Sequence, residues 1–411
     1  MSAQGQNVHV PHGSRMLLGR VEGDLDAERD VVIASDGSAS VSVKGTARFE
    51  GSATLEAPFD CERLKCEDGR LLARQSLAVR EELRADDASV EVVGSFTARR
   101  VDVGRTLLLH GDSTAERMEV GGTLEADRSL SAGAVEVGGT VVARGTFKAG
   151  SLEVGGKVDL AHVDIEELEV GGAVAVGDGS VRGSIEVGGQ FVSSGPLLFG
   201  KLTVGGRARF GGASQGSDIE VGGQFHAEAD LVFHDLEVGG IAEIRGEGKG
   251  GTVQVGGLFS VGRSLTLTGR LRVGGKAEVG ERLTAESAEV GGELSARSAI
   301  VQGNVEVGGS LRTESGLRAR SVRMGRRSHT VGPLYGDRVE IGRKGRAEVI
   351  VARIVVLEDG AEATDVSGEE VQLGDGAKVG RVRYVRDLRL GRKTTVSSPP
   401  ERIPLMPSFP L

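Results

Sequence analysis

Through most of the chain, apolar residues come in pairs separated by a single residue, and the pairs are spaced by three or four polar or small residues. In the stretch EVGGTLEADRSLSAGAV (119–135) the apolar positions are Val120, Leu124, Ala126, Leu130, Ala132 and Val135. The next stretch, EVGGTVVARGTFKAGSL, keeps the register with Val137, Val141, Ala143, Phe147, Ala149 and Leu152. Val135 is two residues from Val137, so each unit holds three pairs, every one with the period of two that marks a strand with one face inward. The gaps are too short for a helix. Three short strands and three corners close a coil, and coils stack edge to edge. The pattern predicts an all-β chain: a single-stranded parallel β-helix (β-solenoid) of triangular cross-section with about 17 residues per coil.

The period is set by Val-Gly-Gly, which begins at Val120, Val137, Val154, Val170, Val187, Val204, Val221, Val238, Val255, Val273, Val290 and Val307. Weaker copies follow at Met324-Gly325, Ile341-Gly342, Leu373-Gly374 and Leu390-Gly391, while Leu357 leads into an irregular LEDG corner. Arg105, Arg326, Arg343 and Arg392 replace the second glycine. The expectation is therefore that the first glycine needs φ > 0 and the second allows close stacking. Upstream, Val43, Ala47, Phe49, Ala53 and Leu55 fit one coil, with an insertion around residues 58–60. Cys66, Leu71, Leu77, Val79 and Leu83 fit another, and Val90, Val92, Phe96, Ala98 and Val101 a third.

The predicted organisation is a disordered polar tail over 1–14, a continuous solenoid over 15–396 and a Pro-rich tail over 397–411. Within the solenoid the first coils are irregular to about 100, Val-Gly-Gly coils run over 103–323, and degenerate basic coils fill 324–396. That makes roughly 20 to 22 coils, a rod of roughly 95–105 Å at about 4.8 Å per coil.

Composition narrows the core. Glycine is 66 of 411 residues, aromatics are 3% and tryptophan is absent, so the interior must be thin and aliphatic. Only Cys61 and Cys66 are present, too few for a disulfide framework, and Cys66 is expected to be a core thiol. No apolar leader and no run of about 18 apolar residues is visible, so the expected compartment is the cytoplasm.

Candidate chemistry is sparse. His9 and His12 flank Pro11 and fit a metal pair poorly, and no Ser-His-Asp set emerges from spacing. Gly246 to Gly251 lacks the GK[ST] ending of a phosphate loop and fits a Gly-rich corner better. A hexapeptide acyltransferase would need an 18-residue coil and a histidine on a long loop, so no enzyme, cofactor or metal is expected. A column of glutamates precedes the Val-Gly-Gly motif (Glu119, Glu136, Glu153, Glu169, Glu186 and onward), interrupted by Thr203, Gln254, Arg272 and Arg323. It suits a solvated face that discourages sideways pairing better than a cation-binding stripe. The last third is basic: 312–353 holds eleven Lys/Arg against four Asp/Glu, and 378–393 seven against one. Tyr335 and Tyr384 are the only tyrosines, which argues against single-stranded nucleic acid as the partner.

Neither end carries an amphipathic helix to cap it. Leu17, Leu18, Val21 and Leu25 at one end, and Val382, Tyr384, Leu388 and Leu390 at the other, are the expected polymerisation surfaces. Uncapped ends invite end-to-end stacking, and a contact that does not close on itself makes a filament. The tail residues Ile403, Leu405, Met406, Phe409 and Leu411 could plug the C-terminal end or dock on a membrane or protein partner.

Short Gly-cornered coils between polar and Pro-rich tails resemble the bactofilins, polymer-forming cytoskeletal proteins. The opening LLGRVEGDLDAERDVVI (17–33) is similar to that family's Gly-Arg-Val-Glu-Gly-Asp type of first coil. The resemblance implies a right-handed triangular β-helix, nucleotide-independent homopolymerisation through the end coils, and cytoplasmic scaffolding, often at the membrane. The competing expectation is a capped, monomeric solenoid whose basic coils bind an anionic surface, membrane or nucleic acid, or a protein partner.

Overall fold

The computed structural model describes residues 7–407, and over that range the chain forms 42 strands and no helix. The strands make about 23 turns, more than the roughly 20–22 expected, in part because residues 7–14 and 401–402 contribute strands of their own. They fall into two compact units, Met1–Gly205 and Gly206–Leu411.

In the first unit, three parallel ladders run turn upon turn. The first side stacks Thr106–Leu109 on Thr123–Ala126 and then on residues 140–143. The second stacks residues 96–98, 113–115, 130–132 and 147–149. The third stacks residues 117–120, 134–137, 151–154 and 167–170, each ending at the valine of Val-Gly-Gly. The second unit repeats the scheme, with Arg207–Phe210 on Gln224–Ala227 on Ile241–Ile244 along its first side.

Period two places alternate side chains inward, and those are the buried ones. Leu124, Leu130, Val135, Val137, Val141, Phe147, Leu152 and Val154 are all buried, with Ala132 half-buried on the second side. Burying one such Val, Leu or Phe contributes about 1.5–3 kcal/mol, and every turn presents three pairs of inward positions, one pair on each side. The few rings stack inside this thin core: Phe210 and Phe225, on successive turns, have centroids 5.8 Å apart.

The Gly-Gly corner differs from expectation. None of its glycines has a positive φ. A Cβ on Gly121 would lie 2.3 Å from the Gly104 carbonyl oxygen, and one on Gly122 would lie 2.2 Å from that of Arg105. Both glycines are there because successive turns meet backbone to backbone at this corner.

Three further expectations are corrected. Residues 58–60 are no insertion: Phe59 and Cys61 are buried second-side residues paired with Val41 and Val43. The extra residues lie at 36–40, a loop closed by the Ser38 N–H donating to Asp36 at 3.1 Å. Gly248–Gly250 is a second-side strand and not a corner, and a Cβ on Gly250 would strike the Phe233 ring at 2.3 Å. Finally, Val8–Val10, placed in a disordered tail by its sequence, is a third-side strand paired with Leu25–Ala27.

Candidate functional site

The candidate assembly surfaces are the outermost turns. At the N-terminal one, Val8–Val10 pairs through one edge only, and its other edge has no strand partner among the described residues. Val10 is buried and Val8 half-buried. Ser14 then closes a tight corner, its N–H and hydroxyl both donating to the Pro11 carbonyl at 3.3 and 2.5 Å. Arg15–Leu18 follows on the first side, with Met16 and Leu18 half-buried and Leu17 pointing outward, 61% exposed. Val21 and Leu25, expected at the open face, are both buried; Val8–Val10 covers Leu25, while Val21 points inward on the second side, paired with Val43. Sequence reasoning missed this strand although Val8 and Val10 precede Leu25 and Ala27 by 17 residues; Pro11 and the two flanking histidines hid the pair.

At the C-terminal end, Lys378–Leu390 runs through all three sides of a turn, with residues 378–379 on the first, 381–384 on the second and 387–390 on the third. Thr395–Val396 and Glu401–Arg402 pair with residues 378–379 and 383–384. Val382 is thereby buried and Tyr384 half-buried. No described strand covers the outer edge of residues 388–390, where Leu388 is half-buried and Leu390 53% exposed. The tail adds a partial turn: the Ile403 N–H donates to the Tyr384 carbonyl at 2.8 Å, Ile403 and Met406 are half-buried, and Leu405 is 80% exposed. Phe409 and Leu411 lie outside the described residues.

The two outermost turns share a corner that the Val-Gly-Gly turns lack. From Gly325 onward the corner between the third and first sides contains a residue in the left-handed region: Arg327, Lys344, Gly360, Gly376 and Lys393, with φ between 56° and 68°. Gly13 and Asp30 occupy the equivalent places near the N-terminus, at 67° and 58°. Thr394 Oγ1 donates to the Gly391 carbonyl at 2.9 Å, as the Ser14 hydroxyl does to Pro11.

Elsewhere the surface is organised as charged columns, because parallel stacking places equivalent residues of successive turns in contact. His110 sits between Asp127 (2.6 Å) and Glu91 (3.4 Å), and these carboxylates also hold Arg144 and Arg70. The hydrogen bond to Asp127 raises the His110 pKa above its ordinary value. In the second unit, Arg272 donates two hydrogen bonds to Glu289 (3.0 and 2.8 Å), and Arg323 bridges Glu306 and Glu340. In the first unit Glu119, Glu136, Glu153, Glu169 and Glu186 stand in register with one distant counter-charge, Arg117 at 3.8 Å from Glu136. Beside them, small side chains at Ala134, Ser151 and Ser184 leave a hollow of about 540 Å³.

Other candidates resolve as structural groups. Cys61 and Cys66 are buried, as expected for Cys66, and burial pushes both thiols up to about 12. His9 lies 3.3 Å from Glu28, whose carboxylate also accepts the His12 N–H at 2.8 Å. Among the described residues, no group of three or more His, Cys, Asp or Glu side chains is arranged to hold a metal, and no helix is long and apolar enough to cross a membrane. No family model, curated protein or solved structure matches this chain.

Proposed function

We propose that this protein is a non-enzymatic, bactofilin-like structural element that assembles with copies of itself by stacking the C-terminal turn of one copy on the N-terminal turn of the next. The observation that carries the reading is the phase of the two ends. Among the described residues, the first strand, Val8–Val10, lies on the third side and the last, Glu401–Arg402, on the second. A second copy would continue the order of sides with none missing or duplicated. Val8 and Val10 would extend the ladder over Leu388 and Leu390, and Ser14 and Met16 would follow Thr394 and Val396. Matching left-handed corners on both turns support the same arrangement.

Two features work against unlimited stacking. Pro11 has no N–H at the place where Glu28 and Gly391 each donate to the turn before, and Arg402 stands opposite the inward position of Tyr384. Both weaken the joint by a hydrogen bond or a desolvated charge, which suits an assembly that is reversible. Negative-stain microscopy and sedimentation of the purified protein test the reading. The wild type is expected to form end-to-end polymers, and Leu390→Arg and Val8→Arg, each at an outermost strand, to leave single particles of unchanged circular dichroism. Single particles of wild type at all concentrations would refute it.

A further inference from the structure

Among the described residues, three of the four non-glycine residues with positive φ are cations at equivalent corners: Arg327, Lys344 and Lys393. L-residues adopt this conformation at a cost, and such strain concentrates at functional positions. Glycine fits the site, since Gly360 and Gly376 occupy it in the two intervening turns. A basic side chain is therefore held there where a glycine would fold with less strain.

The company these residues keep is also basic. Arg326 and Arg327 on one turn lie next to Arg343 and Lys344 on the following one, the Arg327 N–H donating to the Arg343 carbonyl at 2.9 Å. All four side chains are exposed, and of the four only Arg343 has a carboxylate within ion-pair distance among the described residues, Asp359 at 3.5 Å. Most charged columns on this protein are internally paired, so three unpaired cations within about one strand spacing stand out.

Sister corners show what the missing partner looks like. The N–H of Arg343 donates to the Glu358 carboxylate at 3.0 Å, that of Asp375 to Asp359 at 3.2 Å, and that of Arg392 to Asp375 at 2.7 Å. The corresponding N–H of Arg326 has no acceptor among the described residues. Three corners thus place a carboxylate oxygen of the chain itself on this N–H, whereas of the three corners that carry two cations each only that of Arg326 and Arg327 leaves the position to solvent.

We propose that the corner formed by Arg326, Arg327, Arg343 and Lys344 binds a phosphate-type oxyanion, with the Arg326 N–H taking one oxygen and the four cations neutralising the rest. Backbone N–H groups at a left-handed turn beside arginine are suited to such an anion. Arg392 and Lys393 on the last turn carry the same pair of cations, but there the Asp375 carboxylate already takes the Arg392 N–H. The two corners are separated by the carboxylates of Glu358, Asp359 and Asp375, so the cations make discrete clusters and not a continuous track for a nucleic-acid backbone. The site does not depend on assembly, and either can fail without the other.

The substitution Arg327→Gly/Lys344→Gly removes two charges and relieves the strain, so it is expected to melt at or above the wild-type temperature. Binding is measured by calorimetry with inorganic phosphate and by co-sedimentation with phosphatidylglycerol vesicles, phosphatidylcholine vesicles serving as the neutral reference. Affinity is expected to fall at least tenfold, on the order of the effect of two basic residues at an anionic surface. A charge-matched control, Arg105→Gly/Arg128→Ala, is expected to bind as the wild type does. Binding of free phosphate identifies a small ligand, and binding of anionic vesicles alone identifies a lipid headgroup; either supports the site. No binding by the wild type, or equal losses in the corner variant and the control, would overturn it.

Discussion

At the scale of single residues, glycine has two separate jobs here. In the Val-Gly-Gly corner it removes a Cβ from the path of the turn below, and at Gly13, Gly360 and Gly376 it supplies a left-handed φ. The first job cannot be shared with a side chain when the neighbour is a backbone carbonyl, which has nowhere to go. A methyl group on Gly138 would lie 2.4 Å from the Gly121 oxygen. Gly138→Ala should therefore cost about 1–3 kcal/mol, the usual range for overpacking, despite alanine's smaller backbone entropy in the unfolded chain. Chemical denaturation with wild-type-like spectra for the folded variant checks this; an unchanged midpoint would mean the corner can open freely.

At the scale of elements, each ladder brings like positions of successive turns together, so a charge is either answered by the next turn or repeated by it. The column Arg70, Glu91, His110, Asp127, Arg144 is answered throughout. His110 is raised first through its hydrogen bond to Asp127, and the Asp127 carboxyl is lowered first through His110 and then through Arg144. A histidine whose folded pKa exceeds its unfolded one stabilises the fold below about pH 6.5 and stops doing so as pH rises through the folded value. The melting-temperature advantage of wild type over His110→Ala should then be largest near about pH 5.5 and shrink toward about pH 8.5. A constant difference across that range would remove the ion pair as its source. The glutamates from Glu119 to Glu186 are the opposite case, a column repeated with Arg117 near Glu136 as its one answer.

At the scale of the whole molecule, the outermost turns differ in charge as well as in shape. Residues 7–30 carry three arginines against five carboxylates, whereas residues 378–402 carry eight Lys/Arg against two carboxylates. Facing turns of a stacked pair would therefore attract, over a distance that salt shortens from about 10 Å at 0.1 M to about 3 Å at 1 M. Polymer mass at fixed protein concentration should fall as salt rises over that range, in sedimentation assays. Polymer growth with added salt would indicate that contact between apolar residues such as Val10 and Leu390 alone drives the joint.

The repeat of apolar pairs determined the strands, their inward faces and the three-sided turn, because a period of two leaves a strand one face to bury. It also determined that Cys66 is a core thiol. Tertiary structure decided what depends on the neighbouring turn. That the Gly-Gly corner is a matter of contact and not of φ follows from where the turn below puts its carbonyls. Val8–Val10 became a strand because Leu25–Ala27 offered it an edge, and it covered Leu25, one of the residues expected to be exposed. The cations of the last corners stand apart for the same reason: sequence shows they are basic, but only the stacking shows which carboxylates reach them and which N–H is left open.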